Sequence, residues 1–277
     1  MKKVLYSSLI ILFTIAASQQ VMAVALNTTF SLGSTCAASG TMMTADGDCK
    51  STPTEYSIKI YEMGFCSSYP YSTAKTSEAI DKSSCVATYT DTSPSTVNIA
   101  DVIGGKLTLP GVSSAPTEGT YAYPYMILGH AFTISGQFTN SSTTYYSTSS
   151  GGVSTTASDL ATVTDNLTNF GAPNKCYSGF IGASVTGGTL DAFVANSSLT
   201  RGTETDVSSG ECTKSGRIVG VMTLTTPVTV TSDTYAVIFN FIMTDYGVQW
   251  SDDAGSNSVP DAFGSGPFSG YFTVLSN

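Results

Sequence analysis

A chain of 277 residues with a net charge of −9, a sequence pI near 4.4 and only 11% charged side chains repels phosphate and anionic lipid. Arg201 and Arg217 are its only two arginines, too few to grip a phosphate backbone, so nucleic-acid binding is excluded as a function class. Serine and threonine supply 81 residues and glycine 26, beside 15 tyrosines and 13 phenylalanines, a composition suited to half-buried strands joined by tight turns.

The chain opens with Lys2 and Lys3, an apolar run from Val4 to Ala17, and Val21-Met22-Ala23 with small residues at the −3 and −1 positions of a cut before Val24. Residues 1–23 therefore read as a secretory signal peptide. The run is shorter than the ~20 residues that span a bilayer, and no later segment reads as a membrane helix. The expected location is secreted, at the cell surface or in the periplasm of a bacterium. Cleavage removes both N-terminal lysines and leaves 254 residues with a net charge of −11. That is enough for one large all-β domain over residues 24–277, with Ser150-Gly151-Gly152 as a possible subdivision.

Val24–Leu32, directly after the cut, is an apolar stretch able to add to an open sheet edge. Tyr56, Ile58 and Ile60 alternate with Ser57, Lys59 and Tyr61, the period of a strand with one wet face. Short strands are predicted at Val86–Thr90, Thr96–Ile99 and Lys106–Leu109. The strongest β signal is Thr120–Phe138, where Tyr121, Tyr123, Tyr125 and Ile127 share one face and Phe132, Ile134 and Phe138 share another. A straight strand of that length is implausible, so a bend, bulge or tight turn is predicted at Gly129-His130. Leu190–Ala195, Arg217–Leu224, Val228–Thr231, Tyr235–Thr244 and Tyr271–Leu275 continue the series. Tyr235–Met243 is almost continuously apolar and reads as a central strand buried on both faces. The Ser/Thr/Gly-rich stretches Thr139–Ser158 and Ala195–Gly210 read as loops or exposed hairpin tips. No helical periodicity stands out after residue 24. The predicted fold is all-β, an antiparallel β-sandwich of Greek-key or jelly-roll type.

In an exported chain, Cys36, Cys49, Cys66, Cys85, Cys176 and Cys212 are expected to be disulfides. Six cysteines allow 15 pairings, and loop closure favours neighbours: Cys36–Cys49, Cys66–Cys85 and Cys176–Cys212. No C-x-x-C spacing and a single histidine argue against zinc.

Catalytic chemistry is scarce, and no enzyme is expected. His130 is the one histidine, no Gly-x-Ser-x-Gly elbow accompanies it, and its place at the bend suggests a turn-shaping role. Glu55 and Glu62 fall on opposite faces of one strand, and Glu204, Asp206 and Glu211 read as a solvated loop. No cofactor is required. Two oxygen-rich loops suggest calcium: Asp46 and Asp48 beside Cys49, and Asp252, Asp253 and Asp261 beside the only tryptophan. Trp250, with Tyr246 and Phe263 near it in sequence, suggests an aromatic platform for a sugar ring. The Asn-x-Ser/Thr sequons at Asn27, Asn140, Asn166 and Asn196 mean little in a bacterial host.

The leading expectation is an exported structural or adhesive surface protein, a subunit of an extracellular fibre or coat. Its partners would be further copies of itself or other surface proteins. A non-catalytic carbohydrate-binding module with a glycan ligand is the alternative. An outer-membrane β-barrel comes third, since the chain ends in Leu-Ser-Asn and disulfides suit a barrel wall poorly.

Overall fold

The computed structural model describes residues 34–72, 79–168, 176, 179–202, 206–208, 211–267 and 269–276. The leader and Val24–Leu32 lie outside the described residues. Within them, regular structure is almost wholly strand, with single-turn 3-10 helices at Ala100–Val102 and Ala157–Asp159. No helix among them is long and apolar enough to cross a membrane.

The largest sheet has seven strands: β1 (Ile60–Cys66), β2 (Cys85–Thr90), β3 (Val112–Ser113), β4 (Tyr123–Gly129), β5 (Gly179–Val185), β6 (Gly188–Ala195) and β7 (Arg217–Leu224). Their spatial order is β5-β6-β7-β4-β1-β2-β3, antiparallel throughout. Because β4 lies between β1 and β7, the connections cross over in the manner of a Greek key. Alternation divides the side chains of this sheet. Tyr125, Ile127, Phe193, Val219 and Val221 pack in a cluster on one face, while Met63, Met126, Leu190, Ala192 and Ile218 belong to the opposite core.

The second face is covered in part by a ribbon of two strands, β8 (Thr234–Ile242) and β9 (Ser269–Ser276), paired antiparallel with Phe239 opposite Phe272. Phe272 meets Phe65 of β1 edge-on, ring centroids 5.1 Å apart. The packing is incomplete. A cavity of about 300 Å³ lies between the layers, lined by Met63, Phe65, Met126, Leu190, Met222 and Phe239 among others.

A second, four-stranded sheet holds Val163–Asn166, Ala131–Ser135, Glu55–Ile58 and Val97–Asn98 in that order. It is continuous with the first. One residue, Lys59, separates Glu55–Ile58 from β1, and one residue, His130, separates β4 from Ala131–Ser135. Gly129 N–H donates to the Lys59 carbonyl at 2.8 Å, so both strands turn out of one sheet and into the other at the same level. This is the bend the sequence predicts at Gly129-His130. A third sheet, Ser34–Thr35, Asp48–Ser51, Val248–Ser251 and Ala262–Ser265, places Cys49 opposite Trp250 and Trp250 opposite Phe263. The sheets do not close into a barrel.

The three disulfides follow the neighbour pairing: Cys36–Cys49, Cys66–Cys85 and Cys176–Cys212. Cys66 and Cys85 sit directly opposite each other in the β1–β2 ladder. In the chain-entropy account, closed loops of this kind contribute on the order of 2–4 kcal/mol each.

Some segments depart from their sequence reading. Tyr235–Met243 lies over the large sheet in a two-stranded ribbon, with Tyr235 63% exposed, rather than within a sheet and buried on both faces. Its inner face supplies the apolar contacts that the run demands. Lys106–Leu109 forms no strand; it belongs to an irregular segment between Val102 and Val112. Thr139–Ser158 includes a three-stranded meander of Gln137–Asn140, Thr143–Ser147 and Val153–Ser154. The stretch near residue 150 is tied in: Phe263 N–H donates to the Gly151 carbonyl at 2.7 Å, and Gly152 bridges Ala262.

Gly64 is required by packing. A β-carbon there would lie 2.4 Å from the Val86 carbonyl oxygen and 2.7 Å from the Tyr125 ring. Gly64→Ala is predicted to cost about 1–3 kcal/mol and to lower Tm by roughly 3–10 °C, measured by calorimetry against the wild type.

Candidate functional site

A groove of about 1040 Å³ runs beside β8. Every residue from Thr234 to Thr244 lines it on one side, and the segment Val102–Leu109 forms the opposite wall. Met63, Phe65, Thr88 and Tyr89, from the face of β1 and β2, lie between these walls. Among the described residues β8 pairs with β9 alone, so its second edge has no strand beside it. Seven large hydrophobic side chains are exposed among the described residues; four of them, Ile103, Leu107, Tyr235 and Tyr271, line this groove. Lys106 is the sole charged residue in the lining. Apolar walls along a bare backbone edge are what an added strand recognises: main-chain hydrogen bonds hold it, and pockets take alternate side chains.

The aromatic platform suggested by Trp250 has a different setting. Trp250 is fully buried, its indole N–H donates to Ser51 Oγ at 2.8 Å, and its ring meets Phe263 edge-on at 4.8 Å. Phe263 is buried as well. Tyr246 faces elsewhere, under the Lys50 ammonium at 4.3 Å. No sugar can stack on the Trp250 face without opening the core.

The aspartates divide into three settings. Asp46 and Asp252, 206 positions apart, come together: Asp46 N–H donates to Asp252 Oδ2 at 3.3 Å, Ser258 N–H at 2.7 Å, and Ser256 Oγ donates to Asp46. Asp252 is 1% exposed. Burial by itself would raise its pKa, but backbone donors from Ser258, Asp46, Asn257 and Gly255 outweigh that and hold the carboxyl below its ordinary value. Asp261 accepts N–H groups from Asp253 at 3.0 Å and Ala254 at 2.9 Å, and Asp48 accepts from Gln249 Nε2 at 3.1 Å. Asp48, Asp252 and Asp261 thus accept N–H groups and tie loops together, while Asp46 accepts a hydroxyl and Asp252 Oδ1 is buried with no hydrogen-bond partner among the described residues. Among the described residues, no group of three or more His, Cys, Asp or Glu side chains is placed to hold a metal.

Glu55 and Glu62 stay apart. Glu55 accepts from Ser57 Oγ at 3.0 Å, whereas Glu62 accepts from Tyr125 at 2.5 Å and pairs with Lys82 at 2.9 Å. Glu204 lies outside the described residues, and Asp206 pairs with Lys214 at 3.1 Å.

One cluster escapes sequence reading. Tyr69 donates to Asp191 Oδ2 at 2.6 Å, Gly182 N–H donates to Oδ1 at 2.7 Å, and Arg201 stacks over Phe193 at 4.0 Å. Asp191 and Arg201 are 2% and 3% exposed. Burial first, and for Tyr69 its bond to Asp191 second, drives the Tyr69 and Tyr71 hydroxyls far above the ordinary phenol range. Such phenols stay neutral; Tyr69 donates to Asp191, whereas the buried Tyr71 hydroxyl has no hydrogen-bond partner among the described residues. The legible signal was Asp191 itself, a lone charge inside the apolar strand Gly188–Ala195. No family model, no curated protein and no solved structure matches the chain.

His130 sits at the sheet switch, where its carbonyl accepts the Leu167 N–H at 2.8 Å. Burial of the ring holds its pKa below the usual imidazole value; a backbone contact at Leu167 opposes this, and the Arg217 charge adds to it. A folded-state pKa below the unfolded one means that the unfolded chain binds the proton more readily. Stability contributed by neutral His130 is therefore present above the unfolded pKa near 6.5 and lost as pH falls below it. His130→Asn is predicted to keep the fold and to flatten the fall in Tm between about pH 7.5 and 5.5, read by calorimetry across that window.

Proposed function

We propose that this chain is an exported structural or adhesive subunit that assembles with further copies of itself into an extracellular fibre or coat. The observation that carries the reading is the edge of β8, nine residues long and with no strand beside it among the described residues, opening on a groove that exposes Ile103, Leu107, Tyr235 and Tyr271 and whose one charge among the described residues is Lys106. An edge of this kind is a template for another strand, and a groove that differs from the surface it accepts gives a heterologous contact. Repetition of a heterologous contact yields a filament or sheet rather than a closed dimer. Export is supported by the leader pattern and by three disulfides, which persist in oxidising compartments.

Purified mature protein is predicted to form concentration-dependent oligomers that survive reduction of any intermolecular disulfide. Analytical ultracentrifugation across the micromolar range, with electron micrographs of the particles and of the native cell surface, reads this directly. A monomer at every concentration, with no matching surface structure, overturns the proposal.

A further inference from the structure

We infer that the groove beside β8 is the acceptor for residues Val24–Leu32 of a neighbouring copy, which enter it as an added strand. The inference rests on the assembly reading above and on removal of the leader at residue 23. Four observations carry it.

The first is length. Val24–Leu32 and β8 each comprise nine residues, about 30 Å of extended chain. Pattern is the second. In extended form Val24, Leu26, Thr28, Phe30 and Leu32 share one face and Ala25, Asn27, Thr29 and Ser31 the other. The larger side chains would then meet the groove floor of Met63, Phe65 and Tyr89, leaving the small polar ones outward. Third comes charge: the segment has no ionisable side chain, and the groove has only Lys106. Cleavage leaves one charge on the segment, the α-amino group of Val24 at its very end, so the eight residues that follow demand no counter-ion on burial.

The fourth is direction, which favours a neighbour over the chain's own groove. Ser34 and Thr35 run parallel to Cys49 and Lys50, and the Cys36–Cys49 disulfide fixes that register. Ser34, the first described residue, therefore sits nearer the Asp48 end of that strand. The β8 groove lies toward its other end, where Asp245 N–H binds Thr52 Oγ1 at 2.9 Å. The tail thus joins the described chain toward the end of that strand farther from its own groove. The other terminal candidate, Tyr271–Leu275, is already committed to its own chain as part of β9.

The test uses the full mature chain. A benzophenone side chain replaces Phe30, and this protein is co-assembled with ¹⁵N-labelled wild type at equal concentration before irradiation. The expected products join the light Phe30 position to heavy peptides from β8, the β1–β2 face or Val102–Leu109. Products confined to light–light pairs, which mean insertion into the same chain, overturn the inference, as do cross-links elsewhere. In parallel, Leu26→Asp/Phe30→Asp alters no described residue, so its melting curve should match that of the wild type. Its assembly midpoint should rise at least about 100-fold, because two large apolar side chains can no longer be buried. An unchanged midpoint removes this donor while leaving assembly standing; a wild type that never assembles removes both.

Discussion

Two neighbouring strands that leave one sheet and enter another at the same level hold this molecule together. Lys59 and His130 are single-residue joints on adjacent strands, and the Gly129 N–H to Lys59 carbonyl bond links them across the ladder. On both sides of the joints the side chains belong to one continuous core: Ile58 and Ile60 on one chain, Leu128, Phe132 and Ile134 on the other. Neither sheet can rotate against the other without breaking that core. The joint also sets the centre of the large sheet, because the two strands that cross, β1 and β4, are its paired middle members. Residues 55–66 and 123–135 thereby act as a frame on which later strands are hung.

Sheet area explains the groove. Seven strands at the usual ~4.8 Å spacing make a surface roughly 30 Å wide, whereas two strands cover about 10 Å of it. One face is covered by its own cluster around Tyr71 and Phe193. The other receives the β8–β9 ribbon, whose Phe239 and Phe272 press toward β1. Cover is thin where β1 meets β2, and there Met63, Phe65 and Tyr89 lie between the ribbon and an irregular segment that supplies no strand. The cavity of about 300 Å³ and the groove share Met63, Phe65, Thr88, Val237 and Phe239, so both arise from one shortage of cover.

Much of the scaffold was legible because its determinants are local. The bend at Gly129-His130 follows from a strand signal too long for one sheet, and the disulfides join the cysteines nearest in sequence, where loop closure costs least. What failed was non-local. The Tyr235–Met243 run carries an apolar signal that fits a central strand or a covering ribbon equally well, and only the count of partners separates them. Trp250 suggests an aromatic platform from Tyr246 and Phe263 near it in sequence, yet it is buried, with Cys49 and Phe263 beside it across two ladders. Asp46 and Asp252 meet from opposite ends of the chain, and no spacing rule anticipates that one of the backbone donors to the Asp252 carboxylate lies 206 residues away. Asp191 was hidden for the opposite reason: it sits in a strand whose burial was evident, but its partner Tyr69 is 122 residues distant.

The edges of the sheets are treated unequally, and the inequality has a physical sense. On the large sheet, β3 is only two residues long, and β5 carries a register irregularity between Phe180 and Ala183 with Gly182 at positive φ. Short edges and bulges are standard protections against pairing with other chains. β8 has none of the sequence devices: its nine residues include no proline and no charge, and its one irregularity falls at the Thr234–Ala236 end, on the side facing β9. An edge of this kind left bare invites indiscriminate pairing. The net charge of −9 opposes casual contact between copies at long range, while the groove contributes almost nothing to that repulsion. Close approach is thus disfavoured over most of the surface and less disfavoured along this edge of β8, which has no strand beside it among the described residues.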